Sequence, residues 1–139
     1  MSRHPSVHMI IPTYAPVVGG AQTQVAHLSG ALQAAGWHVE VLTRRHSYAH
    51  PAGLPARATV AGVPVRRVHS RGRFGSLLYV IAGLWSLART RRGPAIYHAH
   101  DAGAAGWLAV AARYLLGGRS LVKLRTGAYA YRHDIAGRL

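Results

Sequence analysis

Cysteine is absent from all 139 residues, which removes disulfide staples, zinc-thiolate sites and thiol nucleophiles and suits a reducing interior compartment. Acidic residues are nearly as scarce. Only Glu40, Asp101 and Asp134 oppose seventeen basic residues, giving a formal charge of +14, so the surface carries a strongly positive field that favours anionic partners. Lysine is scarce too: sixteen of the seventeen cations are arginine and the lone exception is Lys123. With so many Ala and Gly residues alongside, composition bias contributes to that count, and charge by itself names no partner.

Long hydrophobic runs are also lacking. Met9 to Ile11 is cut off by Pro12 and is far too short for a secretory h-region, so no signal peptide is expected and the protein reads as cytoplasmic. The longest apolar stretch, Phe74 to Ala88, is flanked by Arg71 and Arg73 on one side and Arg89, Arg91 and Arg92 on the other. It falls short of the ~20 residues that span a bilayer. A buried helix over about 74–90 is the reading adopted, and a helix lying on the inner face of a membrane is its alternative.

Two phosphate-binding signatures are missing, G-x-G-x-x-G and G-x-x-x-x-G-K-[ST], which counts against an NAD enzyme and a P-loop ATPase. The hydrolase metal pattern H-x-H-x-D-H fails as well, because Asp101 directly follows His100 and no cysteine or second acidic cluster completes a ligand set. Neither a metal nor another cofactor is expected.

What is present is alternation. Half of the residues are hydrophobic, enough for the core of one domain spanning 1–139. Val7 to Pro12 reads as a doubly buried strand, and Val25, Leu28, Leu32 and Ala35 as a helix ended by Gly36. His38 to Thr43 is a second strand, and Ala58 to Val68 holds extended segments around a turn at Gly62. After the apolar helix come a strand at Ala95 to His100, a helix at Ala102 to Leu116, a strand at Leu121 to Leu124 and a helix start at Asp134 to Leu139. Strands alternating with helices predict an α/β fold, a Rossmann-like doubly wound parallel sheet.

Ligands of such sheets bind beyond the carboxyl ends of the strands, which singles out three corners. At the first, Tyr14 leads to Gly19 and Gly20: glycines admit a ligand to the backbone, and a helix start offers free N–H groups that suit a diphosphate. A tight loop needing glycine only for its backbone angles is the competing explanation. At the second, period-two geometry puts His98 and His100 on one strand face. A neutral imidazole there donates to and accepts from a substrate hydroxyl, and His100 is the candidate catalytic group. Asp101 is assigned first to capping the next helix. The third corner, Arg125, Thr126 and Gly127 followed by two tyrosines, offers a guanidinium for phosphate.

Taken in order, Pro12 with Gly19-Gly20-Ala21-Gln22, then Gly36 to Thr43, Gly62-Val63-Pro64-Val65, and Tyr97-His98-Ala99-His100-Asp101 resemble the N-terminal domain of family 4 retaining glycosyltransferases. The resemblance covers nearly the whole chain. It implies one half of a GT-B architecture, in which this domain carries the acceptor and a C-terminal domain the nucleotide-sugar. It also implies that Gly19 and Gly20 reach the donor diphosphate, and that His100 stands near the acceptor or the transferred sugar; Tyr14, His98, Asp101, Arg125, Thr126 and Gly127 are substrate-binding candidates from the three corners. Acceptors in the family include lipid-linked ones. Two positions depart from the pattern. Arg125-Thr126-Gly127 stands where threonine and histidine precede a glycine, and Gln22 stands where many members have glutamate. No C-terminal donor domain is present in these 139 residues, so the chain alone is expected to be inactive. A basic nucleic-acid-binding module is the alternative, weakened by arginines scattered over several segments and by the lack of a recognised motif.

Overall fold

A strand buried on both faces has no solvent side on which to place polar residues. The first strand of the computed structural model, which describes residues 5–47, 50–91 and 93–124, is of that kind: β1 (Ser6–Ile10) is buried at every position. After it come α1 (Gly20–Ala34), β2 (His38–Arg44), β3 (Arg57–Val60), β4 (Val63–Val68), α2 (Gly75–Thr90), β5 (Ala95–Ala99), α3 (Ala104–Leu116) and β6 (Arg119–Val122). The six strands form one sheet in the order β3-β4-β2-β1-β5-β6.

The ladders β4·β2, β2·β1, β1·β5 and β5·β6 are parallel, and only the edge pair β3·β4 is antiparallel. The fold is therefore the expected Rossmann-like α/β sheet with a hairpin at one edge. Val60 pairs with Val63, and the two residues between them, Ala61 (φ 49°) and Gly62 (φ 81°), both take positive φ. That is the backbone a two-residue hairpin loop requires.

Alternation along the strands builds two cores. Val7, Met9, Ile11, Val39, Val41, Val63 and Val65 pack against Ala21 and Val25 of α1. On the other side Ile10, Leu42, Ala95, Tyr97 and Ala99 meet Tyr79 and Leu87 of α2 and Leu108 and Ala112 of α3. Gly83 lets those two helices approach closely, because a Cβ there would strike the side chain of Leu108.

Boundaries shift from the sequence reading where pairing or capping overrides the apolar pattern. The helix expected around Val25 starts earlier, at Gly20, and the one expected from Ala102 starts at Ala104 with Gly103 in the N-cap position. The last strand lies at Arg119–Val122 rather than Leu121–Leu124, since its register is fixed by β5 through Ile96↔Arg119 to Ala99↔Val122. The helix start at Asp134 to Leu139 lies outside the described residues.

The buried-helix reading of the segment near 74–90 holds for one side only. Tyr79, Gly83, Ser86 and Leu87 face inward, while Leu77, Leu78, Ile81 and Trp85 are exposed. Among the described residues no helix is long and apolar enough to cross a membrane.

The turn into β6 provides a stability test. Gly117 (φ 76°) and Gly118 (φ 111°) both occupy the positive region, but a Cβ on Gly118 would also collide with the carbonyl oxygen of Ala95, whereas one on Gly117 would meet nothing within 4 Å. Gly117→Ala is expected to cost about 1 kcal/mol from backbone strain alone. Gly118→Ala should cost at least about 2 kcal/mol by adding a backbone collision. Urea unfolding of the two variants beside the parent checks this, and equal costs would refute the packing argument.

Candidate functional site at the strand ends

Neighbouring parallel strands whose connections leave in opposite directions open a crevice between them at their carboxyl ends. β1 and β5 are such a pair. From β1 the chain runs through α1 to β2 on one side, and from β5 through α3 to β6 on the other, with α1 and α3 on opposite faces of the sheet. The rungs Met9↔His98 and Ile10↔Ala99 hold the two strands in step, and the His100 amide donates to the Ile10 carbonyl at 2.9 Å.

The two histidines share a face, as period two requires. Their ring centroids are 4.1 Å apart. They point to the α1 side, and the His100 ring nitrogen lies 3.3 Å from the sulfur of Met9. His100 is the deeper of the two at 3% exposure, and His98 is half-buried. Burial, reinforced by the nearby Lys123 ammonium, holds the His98 pKa below the ordinary imidazole value, so near neutral pH its ring both donates and accepts.

α1 delivers its start to the same rim. Lys123, just past β6, donates its backbone N–H to the Ala99 carbonyl at 2.8 Å and its ammonium to Gln24 Oε1 of α1. The helix start that bears Gly19 and Gly20 and the strand end that bears His98 and His100 are thus tied together through Lys123. α1 has no acidic residue in its first turn and no side-chain cap, which leaves its positive dipole end unneutralised.

The glycines themselves are not explained by backbone angles. Gly19 is extended, with φ −172°, a conformation any residue can take, and Gly20 opens the helix with nothing within 4 Å of where a Cβ would lie. What glycine provides at Gly20 is open space above the helix start.

Three residues to which the sequence assigned no role hold the preceding loop in place. Arg67, buried on β4, donates to the carbonyls of Ala15 and Pro55, both at 3.0 Å. Gln22 Nε2 donates to the Thr13 carbonyl at 2.9 Å, and the Tyr79 hydroxyl to the Ile11 carbonyl at 3.5 Å. Period two puts Arg67 on the same strand face as the buried Val63 and Val65, which is the signal that marks it as inward-facing. Tyr14 belongs to the core beneath α1 at 4% exposure, and burial raises its phenol pKa.

Asp101 needs correction as a capping residue. Gly103 occupies the N-cap position of α3 and no side chain caps it. The Asp101 backbone instead packs against the helix, its carbonyl 3.0 Å from where a Cβ on Gly106 would stand. Arg125, Thr126 and Gly127 lie outside the described residues. Among the described residues no group of three or more His, Cys, Asp or Glu side chains could hold a metal ion.

A second concavity lies elsewhere. A cleft of about 1260 Å³ between α2 and the sheet reaches the amino ends of β1 and β2 at Ser6 and His38, away from the crevice. Its polar wall holds an ion pair, Arg66 Nε to Glu40 Oε1 at 2.7 Å, with His8 3.9 Å from the same carboxylate.

The fold is a Rossmann-like α/β sheet whose crevice opens at the carboxyl ends of β1 and β5. The family model described as a glycosyl transferase 4-like domain matches residues 19–139, and the chain belongs to that family of glycosyltransferases. A solved structure of sucrose-phosphate synthase from Thermosynechococcus elongatus has a similar fold, with a TM-score of 0.62 at 18% identity. The match covers 94% of this chain and 66% of the synthase chain, just under two thirds of its length. Comparison with curated proteins gave no match.

Buried histidines give the fold a pH dependence of definite sign. His8, like His98, has its pKa lowered, chiefly by burial, with Glu40 opposing the shift and Arg66 adding to it. The unfolded chain therefore binds protons that the folded one refuses once pH falls through about 6.5. Stability contributed by these groups is present above that pH and lost below it. Urea unfolding at pH 7.5 and pH 5.5 should show lower stability at the acid end, with a smaller difference in His8→Gln. A protein equally stable at both pH values would contradict this.

Proposed function

We propose that this domain forms the acceptor-side wall of a retaining glycosyltransferase that moves a sugar from a nucleotide-sugar to an acceptor hydroxyl. The observation that carries the reading is the convergence, at the β1·β5 junction, of an uncapped helix start with a pair of histidines one ring-width apart. In a family of glycosyltransferases, a donor diphosphate is the natural anion for that helix end. The open space over Gly20 gives phosphate oxygens access to the backbone N–H groups.

Transfer makes a bond between the acceptor oxygen and the anomeric carbon, breaks the bond to the diphosphate and passes the acceptor hydroxyl's proton to the departing phosphate oxygen. Such a step depends on positioning and on stabilising the departing charge. His100 and His98 would hydrogen bond sugar or acceptor hydroxyls. The Lys123 ammonium and the helix dipole would favour the departing nucleoside diphosphate. Arg125, Thr126 and Gly127 would extend the phosphate-binding edge, Asp101 would contribute from the same corner, and Tyr14 would support the loop from below. No metal or other cofactor has a role in this scheme, and a cytoplasmic supply of nucleotide-sugar suits it.

The opposite wall, holding the nucleotide, would come from a second domain. Residues 1–139 alone are therefore expected to give no turnover with a panel of nucleotide-sugars, and clear multiple turnovers by the isolated chain would overturn this part of the proposal. In an active protein that contains the chain and a donor domain, His100→Ala should lower kcat/KM by roughly 10²-fold or more, and His100→Asn should retain part of the activity. Unchanged kinetics in His100→Ala would remove the histidine pair from the site.

A further inference from the structure

The outer side of α2 plays no part in the transfer site and is exposed among the described residues. Phe74 is 65% exposed, Leu77 57%, Ile81 56% and Trp85 68%, and Leu78 is exposed beside them. Spacings of three and four place these residues on one side of a helix, opposite the inward-facing Tyr79, Gly83 and Leu87. Soluble surfaces carry single exposed apolar residues as a matter of course, whereas a continuous stripe marks an interaction surface.

The charges around the stripe identify its partner. Arg89 continues the Ile81, Trp85 row by one more helical turn. At the other end Arg71 and Arg73 are exposed, with the Arg73 guanidinium 6.0 Å from the centre of the Phe74 ring. The helix contains no acidic residue, and the chain has only three, none of them between Arg71 and Arg91. Along the facing cleft wall Arg57 adds further positive charge, while Arg66 is paired with Glu40. An apolar stripe with a tryptophan, bounded at both ends by arginine and free of carboxylates, is matched to an anionic lipid surface, whose headgroups meet the arginines while the acyl boundary receives the apolar side chains. At 16 residues the helix is about 24 Å long, too short to cross the ~30 Å hydrocarbon core, so it would lie in the plane of the interface.

We propose that the exposed face of α2, centred on Phe74, Leu77, Ile81 and Trp85 and framed by Arg73 and Arg89, docks the protein on anionic phospholipid bilayers. The proposal stands independently of sugar transfer, and its tests read membrane binding alone.

The 139-residue chain is floated with vesicles of phosphatidylcholine alone and of an equal mixture of phosphatidylcholine and phosphatidylglycerol, at low and high salt. Binding is expected to the mixed vesicles, weakened by salt. The exposed-face double variant Ile81→Ser with Trp85→Ser should no longer bind. Arg73→Gln with Arg89→Gln should bind roughly 25-fold more weakly, about fivefold for each cation removed. Circular dichroism establishes that each variant is folded, and the arginine pair, exposed at both positions, keeps the test decisive if the stripe variant is not. In a Trp37→Phe, Trp107→Phe background, the emission of Trp85 should shift to the blue on mixed vesicles. Failure of the parent to bind mixed vesicles overturns the proposal, as does equal binding by a folded stripe variant. So would size exclusion showing a dimer of the parent that the stripe variant abolishes, which would assign the face to a second copy of the chain.

Discussion

The parallel pairing of β1 with β5 is the constraint from which the rest of the site follows. It joins residues 6–10 to residues 95–99, and each strand then sends its chain to the opposite side. Backbone hydrogen bonding fixes the register, and register fixes which side chains share a face. Met9 stands beside His98 and receives the His100 ring for that reason. A slip by one residue would carry both histidines to the face of α2 and α3, where small residues such as Ala99 now let the helices approach.

The two faces of the sheet have separate duties. The α1 face carries the histidines, the glycine-bearing helix start and the buried Arg67 that braces the loop. On the other face α2 leans on α3, with Gly83 against Leu108, and leaves a cleft over β2 and β4. That asymmetry is what exposes the outer stripe of α2. With an excess of positive charge and hardly any carboxylates, the positive field extends over both the crevice and the stripe.

Much of this was legible in the chain. Short apolar runs, each followed by a stretch with helical spacing, specify a parallel α/β sheet because a strand buried twice and a helix buried once need different patterns. The two histidines on one face followed from the period of a strand alone, and the order of motifs pointed to the glycosyltransferase family. Less legible were contacts made over long separations. Period two turns Arg67 inward with Val63 and Val65, but only the fold brings the carbonyls of Ala15 and Pro55 to it, and Lys123 has no local signal for its proximity to His98 or Gln24. Capping by Asp101 was a local inference that failed because the strand-to-helix turn placed Gly103 at the cap instead.

By itself, then, the sequence determined the kinds of element, their order and the polarity of each face, since these depend on periodicity and on the residues that start or stop a helix. Tertiary structure decided which strand lies beside which, that the glycine-bearing helix start and the histidine pair lie at the same end of the sheet, and that the apolar helix near 74–90 buries one side and exposes the other. Those outcomes depend on pairing between segments as far apart as residues 6 and 95. Local propensity cannot encode such a choice, because every buried strand of the sheet presents its neighbours with much the same row of backbone donors and acceptors.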